Sequence, residues 1–240
     1  MSSFNHLNQP IGAPMPNWTP PPLPERRILE GAYCRVEPLS PERHAPSLFE
    51  AYQLDTDRRN WTYLPYGPFR DFQEYLAWVE TNAPGSDPLF YAIVDKSGGK
   101  ATGVASYLRI EPAQGCIEVG HLSFSPLLQG KRAATESMYL MMRNSFELGY
   151  RRYEWKCDAL NAPSRRAAQR LGFSFEGVFR QARVVKGRNR DTAWYSVVDQ
   201  EWPRLQSIFR QWLDPSNFDE NGRQRTSLSA LTGPILASKG

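Results

Sequence analysis

A chain of 240 residues that is 40% hydrophobic and 12% aromatic has the length of one domain with tails and the apolar content for a packed core, which excludes global disorder, a collagen-like repeat and a disulfide-rich miniature. Its 29 Lys+Arg against 25 Asp+Glu leave a net charge of +4, too small and too evenly spread to point at nucleic acid. Cys34, Cys116 and Cys157 are dispersed and read as buried free thiols, so no structural metal is expected; no apolar run approaches the roughly 18 residues of a membrane span, and Met1 to His6 do not begin a secretory leader, so the cytoplasm is the expected compartment.

Seven of the 20 prolines fall within the first 24 residues and predict an extended arm over 1–27, because proline lacks the N–H donor and fixes φ. The folded domain is expected at 28–213. Within it the hydrophobic period predicts a strand at 33–39 and helices at 47–54 and 71–82. Between those helices Trp61, Tyr63, Tyr66 and Phe69 are interrupted by Pro65, Gly67 and Pro68, which makes the segment a loop. Strands at 89–95, 102–110 and 117–124 follow, with turns at 96–100 and 112–115, as an antiparallel meander. A helix at 133–148, with Met138, Met141, Met142 and Phe146 at helical spacing and Gly149 at its stop, leads to a strand at 152–158 and a helix at 163–171. Strands at 173–186 and 193–199 around the turn 187–190, then a helix at 202–213, complete the domain, and the polar 214–240 reads as a loosely ordered tail. This order predicts an α+β fold, a mixed and largely antiparallel sheet of about seven strands with helices on both faces.

The segment from Ser125 to Glu136 leads from a strand into a helix. Small residues at a helix start let backbone N–H groups approach a ligand, and with the helix dipole they suit a phosphate; Lys131 and Arg132 add positive charge there. A solvated basic helix start is the plain alternative. A nucleoside triphosphate loop is excluded, because it needs glycine where this chain has Ser125 and a hydroxyl where it has Arg132.

Gln129-Gly130-Lys131-Arg132-Ala133-Ala134 resembles the acetyl-CoA pyrophosphate loop of the GNAT superfamily of N-acetyltransferases, with Gln129 and Ala134 matching and Arg132 standing where the family has its central glycine. At the expected distance, Asn161-Ala162-Pro163-Ser164 followed by Leu171-Gly172-Phe173 and Glu176-Gly177 resembles the corresponding helix and strand of the RimJ/RimL-type subgroup, which acetylates ribosomal-protein N-termini. Ile117-Glu118-Val119-Gly120-His121 is similar to a strand of the same subgroup.

The resemblance implies a fold in which the parallel strands 117–124 and 152–158 splay apart and take the pantetheine arm of acetyl-CoA between them. It implies that residues Gln129, Gly130, Lys131, Arg132, Ala133, Ala134 and Thr135 cradle the pyrophosphate and that a backbone N–H near Phe124 holds the oxyanion. Asn161 would offer its amide to pantetheine, cap the next helix, or both. Ser164 would protonate the leaving thiolate, or serve only as a first-turn serine. An amine with a pKa around 10 must lose a proton to react, and Glu118 is the leading acceptor, acting through water; a cross-strand ion pair is its other reading. His121 titrates suitably, yet three positions from Glu118 it falls on the opposite face unless a bulge intervenes, and the spacing to Pro126 is one residue longer than in the subgroup. Where some relatives carry a carboxylate after Glu-Gly, this chain has Arg183.

Trp61, Tyr63, Tyr66 and Phe69 are then either a satellite core or one wall of the acceptor pocket, with Trp194 and Tyr195 facing the same cavity. Arg165, Arg166, Arg188 and Arg190 would hold phosphates or an acidic partner, or lie solvated on the surface. The expected activity is acetyl transfer from acetyl-CoA to a primary amine, a protein N-terminus or a small molecule, by direct attack in a ternary complex. A monomer or homodimer is expected, without membrane or metal. A noncatalytic acyl-CoA-binding module is the first alternative. An RNA-associated protein using Arg165, Arg166, Lys186, Arg188 and Arg190 ranks last, because the aromatics do not interleave with the arginines.

Overall fold

A computed structural model describes residues 3–240; residues 1–2 of the expected arm lie outside the described residues. The strands β1 (Ser3–Phe4) and β2 (Pro10–Ile11) form a small ribbon in the arm. The main sheet comprises β3 (Leu29–Glu30), β4 (Cys34–Pro38), β5 (Leu89–Asp95), β6 (Ala101–Glu111), β7 (Cys116–Phe124), β8 (Arg152–Asp158), β9 (Ser174–Val185) and β10 (Arg188–Val198). Their order is β3-β4-β5-β6-β7-β8-β10-β9, antiparallel throughout except for the parallel pair β7 and β8. The α+β expectation holds, with one strand more than predicted, the two-residue β3, which is too short to leave a hydrophobic period.

The helices are α1 (Pro41–Gln53), α2 (Phe72–Asn82), α3 (Arg132–Glu147), α4 (Ala162–Arg170), α5 (Trp202–Leu213) and α6 (Leu228–Thr232). Helix α1 starts six residues before its predicted start. Ser40 accepts the Arg43 N–H as N-cap and Pro41 occupies the first turn, so the helix runs through Pro46, which costs it one backbone bond. Asp71 caps α2 in the same way, accepting from the Glu74 N–H at 2.9 Å.

Alternate residues of β5 go to opposite sides of the sheet, and two cores result. Leu89, Tyr91 and Ile93 pack with Met138, Met141 and Met142 of α3 and with Leu205 and Phe209 of α5. Phe90, Ala92 and Val94 pack with Leu48 and Tyr52 of α1, Tyr75 and Val79 of α2, and Trp61. Glu136 on α3, itself buried, accepts backbone N–H bonds from Ala32, Tyr33 and Cys34 at 2.7–2.8 Å and so fixes the sheet edge to the helix.

The segment 214–240 departs from its expected looseness. Phe218, Leu228 and Thr232 are buried, Ser227 caps α6, and near the terminus the Phe175 N–H donates to the Ser238 carbonyl. Its few apolar residues are spaced by polar ones and read as solvated, yet Phe218 packs on Trp212 of α5, and α6 packs against α5 and α4.

The pairing of β7 with β8 runs from Cys116↔Arg152 to Val119↔Trp155 and stops, while β8 continues beside β10 as far as Asp158↔Thr192. On its other side β7 pairs with β6 at Gly120↔Ser106 and Ser123↔Val104, so His121 and Leu122 together oppose Ala105. That bulge, with His121 at φ 51°, turns the end of β7 away from β8.

Candidate active site

A cavity of about 510 Å³ lies where β7 and β8 part. Its walls come from both strands, from the start of α4 and from the β9–β10 hairpin; the loop between α1 and α2 closes it from above. Hydrogen bonds tie this roof to the walls: the Tyr63 hydroxyl donates to the Leu160 carbonyl at 3.3 Å, Lys186 Nζ donates to the Trp61 carbonyl at 2.8 Å, and Asn60 Nδ2 donates to the Phe124 carbonyl at 3.2 Å.

Glu118 and His121 both line the cavity, which strict alternation forbids and the bulge allows. Glu118 is buried and ion-paired through Oε2 to Arg109 and to Lys156, the latter at 3.0 Å. It faces Glu154 directly across the parallel pair, and Lys156 Nζ, 2.7 Å from Glu154, stands between the two carboxylates. The cross-strand ion pair that the sequence allowed for Glu118 is present. The His121 ring stacks on Tyr66 at 5.6 Å and meets Phe90 at 5.1 Å, and its buried Nδ1 has no hydrogen-bond partner among the described residues. Burial pulls its imidazole down to about 4, with Arg109 and Arg190 adding to the effect, so the ring is neutral at pH 7.

At the mouth of β8, Asn161 Oδ1 accepts the Ser164 N–H at 3.1 Å, the capping bond expected of it. Ser164 Oγ accepts from Trp155 Nε1 at 3.0 Å, which leaves the hydroxyl proton free to be donated. Asn161, Ser164 and the buried Cys157 all face the cavity.

Beyond β7 the chain turns on Ser125, whose carbonyl accepts from the Leu128 and Gln129 N–H groups, and Leu128 is buried beneath the turn. Gly130 has φ 72° and open space where a Cβ would stand. Lys131 is the N-cap of α3 without a capping side chain, so the first N–H groups of the helix have no side-chain partner. Gln129, itself exposed, reaches back across the turn: its Nε2 donates to the Phe124 carbonyl at 2.7 Å and to Asn60 Oδ1 at 3.0 Å. The Arg132 guanidinium turns away from the loop and lies over the Phe218 ring at 3.9 Å, with Tyr33 at 5.3 Å. Ala133 and Thr135 are buried, Ala134 is half-buried, and Thr135 Oγ1 accepts from Arg170 at 3.0 Å, so only backbone of this turn can meet a ligand at 133 and 135.

The aromatic set divides. Tyr63 lines the cavity, whereas Trp61, Tyr66 and Phe69 belong to the second core, with Trp61–Phe69 at 5.3 Å and Tyr66–Trp78 at 4.5 Å. Gly67 is required there: at φ 62° a Cβ would stand 2.6 Å from the Trp61 ring. Trp194 faces the cavity with Lys156 Nζ 3.8 Å from its ring, and Tyr195, one position on, is buried behind the sheet and accepts from Arg165 at 3.1 Å. The expectation that Tyr195 shares the cavity is thus corrected by strand alternation, and Arg165 donates to the Tyr195 hydroxyl and the Ala159 carbonyl.

Arg109, Lys156, Thr192 and Asn60 were not singled out by sequence reasoning. For Lys156 a signal existed: Glu154, Lys156 and Asp158 alternate with Tyr153, Trp155 and Cys157, placing a cation on the face that carries Glu118. Among the described residues no three His, Cys, Asp or Glu converge as a metal group, and no helix is long and apolar enough to cross a membrane.

Residues 35–174 match the family described as the acetyltransferase (GNAT) domain. The structure is similar to the crystal structure of a GCN5-related N-acetyltransferase from Brucella melitensis, at 47% identity and TM-score 0.89 over 91% of this chain and 100% of that one. It is similar also to a probable GNAT-family acetyltransferase from Chromobacterium violaceum ATCC 12472, at 40% identity and TM-score 0.75 over 81% and 98% of the two chains. RimL, a ribosomal alpha-N-protein acetyltransferase in complex with coenzyme A, shares the fold at 21% identity and TM-score 0.61, over 72% of this chain and 98% of that one. A comparison with curated proteins gives no match.

Proposed function

Since the chain belongs to the acetyltransferase (GNAT) family and is one of its N-acetyltransferases, we propose that it transfers the acetyl group of acetyl-CoA directly to a primary amine held in the cavity between β7 and β8. The observation that carries this reading is the halt of β7–β8 pairing at Val119↔Trp155 beside an α3 start with no side-chain cap. Unpaired strand edges and free helix N–H groups are donors and acceptors that a long, phosphate-bearing ligand satisfies, so the residues present fit acetyl-CoA. When bound, acetyl-CoA supplies a thioester whose carbonyl carbon takes the amine's lone pair and whose thiolate leaves.

The chain's own groups divide the remaining work. Residues 129–135 meet the pyrophosphate through backbone N–H groups, with Lys131 adding charge, and a backbone N–H near Phe124 is the oxyanion donor. Asn161, besides capping α4, faces the cavity and is the amide placed for pantetheine. Ser164 donates its hydroxyl proton to the thiolate. His121 Nδ1, unpartnered among the described residues and neutral, accepts a hydrogen bond from the amine and orients its lone pair; the proton passes to solvent, because a ring held near 4 beside Arg109 and Arg190 is too weak a base to keep it. Glu118 is the less suitable acceptor, because protonating it would strand Arg109 and Lys156 without their counter-charge. Its place is to hold the two strands together where they begin to part.

Titration calorimetry with acetyl-CoA, followed by thiol release in the presence of a panel of primary amines including a short peptide, tests the reading. Heat of binding and stoichiometric acetyl-amine are expected. Absence of heat together with unchanged melting at millimolar acetyl-CoA overturns it, since a ligand at a hundredfold excess over Kd stabilises by about 2.7 kcal/mol. Binding with no turnover of any amine would instead establish a noncatalytic acyl-CoA-binding module.

A further inference from the structure

Three residues that line the cavity, Arg190, Thr192 and His121, each carry a buried polar atom (Nε, Oγ1 and Nδ1) without a hydrogen-bond partner among the described residues. Nearly all buried polar groups in folded proteins are paired, so unpartnered groups on residues of a cavity wall are free to meet a ligand there. His121 Nδ1 has its use in accepting a hydrogen bond from the amine. The other two are donors and lie together on β10.

Arg190 also stands directly opposite Arg183 in the register of β10 with β9. Like charges directly opposite on neighbouring strands destabilise the pair. Both arginines face the cavity, and neither forms an ion pair among the described residues. Glu111, Glu118 and Asp158 face it as well, but none comes within ion-pair distance of either arginine; Glu118 is held by Arg109 and Lys156, and Asp158 Oδ1 accepts the Leu160 N–H at 2.8 Å. Asp191, the acid between the arginines in sequence, accepts from the Gln181 N–H at 2.7 Å and from Asn189 at 3.0 Å.

The local backbone is shaped for this placement. Between Phe179↔Thr192 and Arg183↔Arg190, β9 inserts three residues where β10 has one, and Gln181 takes φ 51° within that bulge. The two extra residues leave Arg183 on the face it would hold in a regular strand and shift the register, so that Arg183 rather than Gln181 stands opposite Arg190.

Resting on the acetyltransferase reading above, we infer that the acceptor amine carries an anionic group, a carboxylate or a phosphate, which Arg190 binds through its guanidinium with Arg183 and the Thr192 hydroxyl completing the site. A planar guanidinium fork matches either oxyanion bidentately, and the anion removes the repulsion between the two arginines.

The test compares matched probes on the full-length protein. Initial rates are measured for β-alanine against β-alaninamide and for O-phosphoethanolamine against ethanolamine, and binding of N-acetyl-β-alanine against N-acetyl-β-alaninamide is measured by calorimetry with CoA present. The charged member of at least one pair is expected to be favoured about tenfold or more, in kcat/KM or in affinity, and which pair shows it distinguishes carboxylate from phosphate. Arg190→Gln should reduce that ratio to within about threefold, whereas Arg190→Lys keeps part of it as a point charge. Equal use and equal binding of charged and neutral members by the wild type overturns the inference while leaving acetyl transfer standing; it also decides the matter should the variants fail to fold. A charge preference that survives Arg190→Gln overturns it equally. Failure of acetyl-CoA itself to bind would refute the acetyltransferase reading and, with it, this inference.

Discussion

Replacing Glu118 by glutamine separates an ionic strut from a catalytic base. The substitution keeps size and hydrogen-bonding capacity but removes the charge that Lys156 meets at 3.0 Å and that Arg109 also meets. Removing one partner of a buried ion pair costs about 3–5 kcal/mol. Two features lower that figure here: Lys156 keeps Glu154 at 2.7 Å, and the Arg109 side chain is 34% exposed and regains water. A loss of about 2–3 kcal/mol remains, which for a chain of this size lowers Tm by roughly 4–12 °C. Circular dichroism melting and initial rates per folded molecule at 25 °C measure the two effects, and a rate within about tenfold of wild type is expected. A variant that melts within about 1 °C of wild type while its rate falls by about 10² to 10⁴ would refute the reasoning and make Glu118 the proton acceptor.

For His121, the folded imidazole sits near 4 against an ordinary 6.5, so the unfolded chain binds the extra proton between those values. Its contribution to stability is fully present above pH 6.5 and is lost as pH falls toward 4, up to about 3 kcal/mol; His121→Gln should flatten the urea-unfolding difference across that window and slow turnover by about tenfold, the worth of one hydrogen bond to the amine. An NMR titration of His121 centred near 6.5 would contradict this. Truncation after Asp214 removes Phe218 and Leu228 from the core and should cost about 3–6 kcal/mol by urea denaturation, with an unchanged midpoint as the contrary result. Arg132→Gly loses the stack on Phe218 and adds a helix glycine, for about 1–2 kcal/mol of stability, while CoA affinity by calorimetry changes tenfold or less; a loss beyond about a hundredfold would show the side chain serving the phosphates.

The meander, the α3 stripe and the turn before it were legible because a strong hydrophobic period and small turn residues coincide there. The α1 start was not, since Pro46 looked like a boundary until Ser40 was seen to cap the helix. Strand β10 was shortened in the reading at Ala193, because the polar Arg188-Asn189-Arg190-Asp191 carries no apolar alternation, yet β9 pairs with it by backbone alone. In the site, Asn161 and Ser164 announced themselves by their place at a helix entry, and a one-residue excess in spacing anticipated the His121 bulge. What the sequence concealed were partnerships between distant segments: Lys156 between two carboxylates, Arg132 on the Phe218 ring, and Arg183 facing Arg190 through an irregular register.

The two cores share no buried side chain, although both are built on β5. One lies under α3, whose first turn follows the Gly130 turn; the other carries Trp61, Tyr66 and Phe69 under the roof of the cavity. Changes confined to different cores are far enough apart in packing to act additively, so the roof can be rebuilt without loosening α3. Such a partition makes the molecule easy to diversify: descendants of one ancestor can exchange what they acylate through drift in the second core, while the donor half is inherited intact.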